Sequence, residues 1–317
     1  MKNKLGIHGQ KIDSAINNEK VPKSDKQRLK SALNTYEAWA NNLDKIDPSK
    51  EKLEVAIKKM VRLLNDYKLE LDYNTIFCSD TTFLYRQKGQ IKLDNTVMEE
   101  FLPIFVKKCL QISHPNLFNG NDALDIASQT KTFSSLRFNS SLVNPGIAGS
   151  LKVKTKDQDF ALSRKLFVHA SFDKTFSDQA KIESNTLNLG YVVAELKTNL
   201  DKTMFQEASA TASDIKHSVS KAHYYLLCDF LDMTPISTAT TDIDGAFILR
   251  KAKRISSDKR KEFSNPSNRK KNRNWYKNFL QSHPYDYLLF EKFFKSIDKQ
   301  LNVKNPLIDD VLKNGYF

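Results

Sequence analysis

The stretch "LGYVVAELKTNLDKTMFQEA", residues 189–208, decides the fold. Successive side chains of a strand alternate across the pleat, so Tyr191 and Val193 face one way while Val192, Ala194 and Leu196 face the other. Apolar character on both faces predicts a central strand over about 187–197. That strand nevertheless ends on Glu195 and Lys197, which lie two residues apart and project together to one side. From Thr203 the period changes to that of a helix, with Met204, Ala208, Ala212, Ile215, Val219, Ala222 and Leu226 on its stripe.

Working outward, "SLKVKTKDQD" and "DFALSRKLFVHASF" carry a period of two and read as extended segments paired through a turn at Thr155–Gln158. "HYYLLCDFLDM" is again extended, so the order is hairpin, strand, helix, strand. Upstream the pattern is helical. Leu29, Leu33, Tyr36, Ala40 and Leu43 follow a capping box at Ser24 and Gln27, Leu53, Ile57, Met60 and Leu64 form a second stripe, and a third helix covers 97–112. Residues 113–150 are rich in Asn, Ser, Gly and Thr and read as loops with one short helix. The chain thus divides into a mainly helical region (1–145), a core (146–249) and a basic segment with a C-terminal helix (250–317). The fold class is α/β, or α+β: a mixed central sheet flanked by helices, preceded by a helical region.

The 317 residues carry a net charge of +13, which favours a polyanionic partner and above all nucleic acid. The start has no apolar segment with a small-residue cleavage site, and no stretch is apolar enough to span a bilayer, so the expectation is a cytoplasmic protein with no membrane partner. Three scattered cysteines without a C-x-x-C pair indicate neither a disulfide framework nor a cysteine zinc site. A zinc-peptidase His-Glu-x-x-His motif, a phosphate-binding P-loop and a dinucleotide-binding glycine fingerprint are all missing.

Glu195 and Lys197 suit phosphodiester chemistry, which needs hard oxygen ligands for a divalent ion and a cation beside the attacking water. A second acid has to come from a neighbouring strand. Asp159 in "KDQDFALSRKLF" fits; Asp157 has the same parity and competes with it, and Asp173 is a weaker alternative. Other D-x-K triplets, at Asp66/Lys68 and Asp214/Lys216, fall in helical patterns.

"KDQDFALSRKLF" followed by "LGYVVAELKTNLDKTMFQEA" resembles the PD-(D/E)XK nuclease core, with an acid on its second strand and (D/E)-x-K on its third. More narrowly, these residues resemble the type II restriction endonucleases grouped with Bpu-ten-I. The resemblance implies Mg2+ held by Asp159 and Glu195, or by Asp157, and Lys197 positioning the water. It further implies cleavage of double-stranded DNA at a short asymmetric site by an enzyme of more than one subunit, a heterodimer or a homodimer. Gln158 stands where the family signature has Pro, which leaves Asp157 and Asp159 both open. For Gln206 the resemblance suggests a supporting active-site role, while a capping box from Thr203 to Gln206 explains it as well.

Residues 250–277 hold twelve Lys and Arg against Asp258 and Glu262, about +10 of the total charge. This predicts a DNA-contacting segment through Lys251, Lys253, Arg254, Lys259, Arg260, Arg269, Lys270, Lys271, Arg273 and Asn274. Trp275 and Tyr276 are expected to anchor it to the body. Two other functions compete with the restriction enzyme: a repair or junction-resolving nuclease, and a DNA-binding protein without catalysis.

Overall fold

A computed structural model describes residues 5–118 and 124–301, with positions 308, 312, 313 and 315 beyond them. Helices α1 (Ile7–Asn17), α2 (Lys23–Asp44), α3 (Leu53–Leu69), α4 (Phe83–Gln87) and α5 (Thr96–Ser113) come first, and a π-helical stretch, Glu70–Phe77, prolongs α3. Apolar residues at helical spacing drive this packing: Leu29, Ala32, Tyr36, Trp39 and Leu43 are the buried stripe of α2, and Ile57, Met60, Val61 and Leu64 that of α3. The Ser24/Gln27 capping box does not form, because α2 begins at Lys23 directly after Pro22 and Ser24 lies inside its first turn. Asp25 of that turn instead accepts from the Ser79 and Thr81 hydroxyls.

The sheet contains β1 (Asp125–Phe138), β2 (Leu151–Ala170), β3 (Glu183–Leu200), β4 (His223–Leu231) and β5 (Gly245–Lys253), ordered β1-β2-β3-β4-β5. β1, β2 and β3 are antiparallel, whereas β3, β4 and β5 are parallel. Helix α6 (Lys202–Ser218) is the crossover from β3 to β4, and α7 (Ser257–Glu262), α8 (Pro266–Lys271), α9 (Arg273–Ser282) and α10 (Tyr287–Leu301) follow the sheet. β3 is the middle strand, as its two apolar faces predict. Val192, Ala194 and Leu196 enter a large core shared with the N-terminal helices and α10, while Val193 joins Phe205, Ala208, Ala212 and Ile215 beneath α6.

Three local expectations are corrected. The loop reading of 113–150 misses β1, whose Ser- and Thr-rich sequence is held as a strand by pairing with β2; residues 119–123 of that stretch lie outside the described residues. No turn occurs at Thr155–Gln158, because β2 continues through it with partners from Phe133 to Thr130. The turn lies between β1 and β2, closed by Asn139 N–H on the Ser150 carbonyl (3.3 Å), with Gly146, Ala148, Gly149 and Ser150 at positive φ. Finally, β5 runs into the basic segment, so boundaries at 145/146 and 249/250 cut across the sheet.

A buried ionic cluster ties the helices to the far ends of β4 and β5. Lys68 lies 3.0 Å from Asp72, whose other oxygen is 3.5 Å from Arg250. Tyr285 donates to Asp229 (2.9 Å) and stacks under the Arg250 guanidinium. Opposite charges hold Asp72 below the usual carboxylate range even though burial opposes this.

Arg269 is a second internal pin. Its side chain is 1% exposed and donates to the carbonyls of Phe77, Ser79 and Phe263, each at 2.9 Å, and to that of Thr81. Arg269→Ala would leave these buried carbonyls unpaired, and urea unfolding is expected to record a loss of about 3 kcal/mol. Arg269→Lys should recover only part of it, since one ammonium cannot reproduce the planar fork.

Candidate active site

β2 and β3 pair with Phe160 opposite Ala194. One step further Asp159 comes level with Glu195, and its Oδ2 accepts the Leu196 N–H at 2.8 Å. On the neighbouring parallel strand Tyr224 donates its hydroxyl to Glu195 Oε2 at 2.8 Å, and Lys197 Nζ lies 2.7 Å from Glu195 Oε1. The side chains of Lys197 and Glu195 are 29% and 21% exposed, so the pair is sheltered but open to a ligand. Three strands therefore contribute to one small polar site at the edge of the α6 core.

The electrostatics favour a cation here. Burial raises the pKa of Asp159, the Leu196 N–H bond opposes this, and the nearby Glu99 and Glu195 charges add to the rise against Lys197. For Lys197, burial lowers the pKa, but the Glu195 bond and charge, with Asp159 and Glu207, outweigh it and raise the value overall. Burial and the Glu195 charge drive the Tyr224 phenol far upward, which keeps it a hydrogen-bond donor. Two carboxylates from adjacent strands, one short of countercharge, form a hard-oxygen donor set that suits a small divalent ion completed by water and phosphate oxygens. Among the described residues no group of three or more His, Cys, Asp and Glu is arranged to hold a metal ion.

Glu99 was not singled out by its sequence position. It is 6% exposed on α5, accepts from Gln129 Nε2 at 2.7 Å, and acts on Asp159 through its charge. The one available signal is Pro103, four residues on: lacking an N–H, it frees the Glu99 carbonyl, which takes the Ser128 hydroxyl of β1 instead.

The other predicted residues fall elsewhere. Asp157 is exposed and stands in register with Lys131 of β1. Asp173 is engaged in its own loop by Thr175 and Ser177, whose hydrogen bonds hold its carboxyl well below the usual range. Gln206 is exposed and is not part of a capping box, because Asp201 caps α6 by accepting the Met204 N–H at 2.8 Å. The neighbouring Glu207 is the residue of that turn whose charge reaches Lys197.

The model of the Bpu10I restriction endonuclease family matches residues 90–317, well over half of the chain. The chain belongs to this family. Among solved structures it is similar to a chain described as "native BbvCI A2B2 tetramer at low resolution", with a TM-score of 0.56 and 17% identity, covering 96% of this chain and 100% of that one. The likeness establishes the restriction-endonuclease-like α/β fold. No curated protein matches the chain.

Within this Bpu10I-family chain the basic segment is less free than its composition suggests. Lys251 pairs with Asp286, Arg254 with Asp232 (2.6 Å) and Lys259 with Glu262 (2.8 Å), and Arg260 donates to the Ile255 carbonyl. Arg269 is a buried structural residue and cannot reach DNA, which corrects that expectation. Lys253, Lys270, Lys271 and Asn274 are exposed, and Arg273 is half-buried. Tyr276 is buried with its ring 3.9 Å from that of Phe77, as expected of an anchor, whereas Trp275 is 43% exposed and stacks on Phe279. No helix is long and apolar enough to cross a membrane among the described residues.

Because the folded pKa of Asp159 lies above its unfolded value, the folded state binds this proton more tightly than the unfolded chain does. Its contribution to stability is therefore complete below the unfolded carboxylate pKa and is lost as pH rises through the raised folded value. Asp159→Asn is expected to raise the melting temperature of the metal-free protein at neutral pH by a few degrees, with the gain vanishing in acid. Calorimetry across pH 4 to pH 8 checks this.

Proposed function

We propose that this chain is a subunit of a type II restriction endonuclease with a PD-(D/E)XK site, which hydrolyses double-stranded DNA at a short specific sequence using Mg2+. The observation that carries the proposal is the convergence of Asp159, Glu195 and Lys197 from β2 and β3, with Tyr224 of β4 fixing Glu195. Family membership supports a nuclease in general, and the geometry supports this particular centre.

In this reading Asp159 and Glu195 hold the ion. Bound there, Mg2+ supplies Lewis-acid stabilisation of phosphate charge and a more acidic water. The Leu196 N–H orients Asp159, and the Tyr224 hydroxyl holds Glu195 so that its other oxygen faces Lys197. Lys197, kept protonated by its acidic neighbours, orients the attacking water and offsets charge gathering on the phosphate. Glu99 holds negative potential behind Asp159 and so raises the site's demand for a cation. The exposed lysines of 250–277 approach the DNA backbone, and the N-terminal helices cover the sheet. The enzyme works as a heterodimer or homodimer in the cytoplasm, because a single site of this kind attacks one strand.

A cleavage assay on unmethylated plasmid DNA with Mg2+, with the partner subunit added where one exists, tests the reading. Discrete fragments are expected. Glu195→Ala and Lys197→Ala should each lower the cleavage rate by about a thousandfold or more, while Asp157→Ala should leave it nearly intact. Full activity in the first two variants would sink the assignment. Structure-dependent nicking would point to a repair nuclease, and DNA binding without cutting to a non-catalytic protein.

A further inference from the structure

The twenty-residue strand β2 pairs with β3 only from Phe160 onward. Its first part, Leu151–Gln158, pairs with β1 alone, along Thr130–Phe138, and forms a two-stranded ribbon beyond the body of the sheet. The base of the ribbon is fastened to α6 by Ser218 on the Ser134 carbonyl and by the Lys156–Asp214 ion pair (2.7 Å). Its outer part is not fastened. Arg137 stands directly opposite Lys152, and Lys154 opposite Ser135; all three cations are exposed and none forms a salt bridge among the described residues, although the charge of Lys154 also acts on Asp214. Like charges directly across a strand pair destabilise it, so the ribbon carries an electrostatic cost that an anion would remove. At the tip Phe138 is 61%, Leu142 101% and Val143 94% exposed.

We propose that this ribbon is a duplex-DNA clasp, with Arg137, Lys152 and Lys154 on phosphates and the apolar tip against sugars and base edges in a groove. The inference rests on the nuclease reading above and gives it a second contact surface. Three observations single out DNA as the occupant. A two-stranded β-ribbon fits the major groove of B-DNA. The exposed charge of the ribbon's outer part, Arg137, Lys152 and Lys154, is of one sign and outside any salt bridge among the described residues, whereas in the segment 250–277 Lys251, Arg254 and Lys259 are paired and Arg250 and Arg269 are buried. Along β2, Lys152 and Asp159 are seven residues apart, at most about 23 Å, so the ribbon and the candidate active site reach the same turn of the duplex.

The test compares the full chain with Arg137→Gln/Lys152→Gln/Lys154→Gln and with Lys270→Gln/Lys271→Gln. Anisotropy titrations of a labelled duplex are run in EDTA over a range of NaCl concentrations. Loss of the three ribbon charges should reduce the slope of log K against log salt by about 2 to 3 and weaken binding at least tenfold at moderate salt. Removing the like-charge pair should meanwhile leave the melting temperature equal or higher, which separates lost contact from lost folding. If wild type binds duplex and the ribbon variant binds equally well with the same slope, the inference fails. A ribbon variant that instead loses subunit association in sedimentation, with its salt slope unchanged, also overturns it in favour of a protein interface. A wild type that cuts DNA while the ribbon variant binds normally refutes the clasp and spares the nuclease reading. Ribbon-dependent binding without any cutting does the reverse, and a wild type that binds no duplex refutes both.

Discussion

The amide of Leu196, bonded to Asp159 Oδ2 at 2.8 Å, is the contact on which the site depends. It lies where β3 changes partners, antiparallel to β2 on one side and parallel to β4 on the other. The register of β2 brings Asp159 beside Glu195, and that of β4 brings Tyr224 within reach of the same carboxylate. A slip of one residue would turn Asp159 to the opposite face and put Phe160, a core residue, in its place. The cores on the two sides of β3 prevent this slip, because each face of the strand is fully committed to a different set of apolar neighbours.

The helical half acts as more than cover. α5 brings Glu99 behind the site, and the cluster of Lys68, Asp72, Asp229, Arg250 and Tyr285 joins the first helices to the ends of β4 and β5. Such a cluster contributes little net stability, but breaking one partner strands the others without countercharge. It therefore sets the relative placement of the two halves more than it strengthens either. Arg269 does the same for the C-terminal helices by gathering carbonyls from two separate segments.

Much of this was legible in the sequence where one strand or helix carries its own pattern. The two apolar faces of β3, the Glu195/Lys197 pair towards its end, the helices α2, α3 and α5, and the stripe of α6 as far as Ile215 needed no tertiary information. Val219, Ala222 and Leu226, expected on the same stripe, lie beyond the end of α6, with Leu226 in β4 opposite Glu195. β1 was hidden because "DIASQTKTFSSLRF" lacks a clean alternation and owes its conformation to β2. The turn placed at Thr155–Gln158 followed a run of charged residues, which here line an exposed ribbon instead of ending a strand. Asp157 and Asp159 share parity, so alternation could not separate them; in the fold Asp159 accepts the Leu196 N–H of β3, whereas Asp157 stands in register with Lys131 of β1. Composition likewise counts Arg250 and Arg269 as surface charge, although folding consumes both internally.

Pro103 shows how a defect in one element can specify another. An uninterrupted α5 would present no free backbone acceptor at Glu99, and β1 would meet a surface with no unique docking point. The missing N–H leaves one carbonyl exposed, and Ser128 is the residue that answers it, with Gln129 beside it gripping the Glu99 side chain. A broken rung in the helix thus serves as an address: it tells an edge strand of weak intrinsic preference where along the helix to lie. The strand that carries Asp159 inherits its lateral position from that choice.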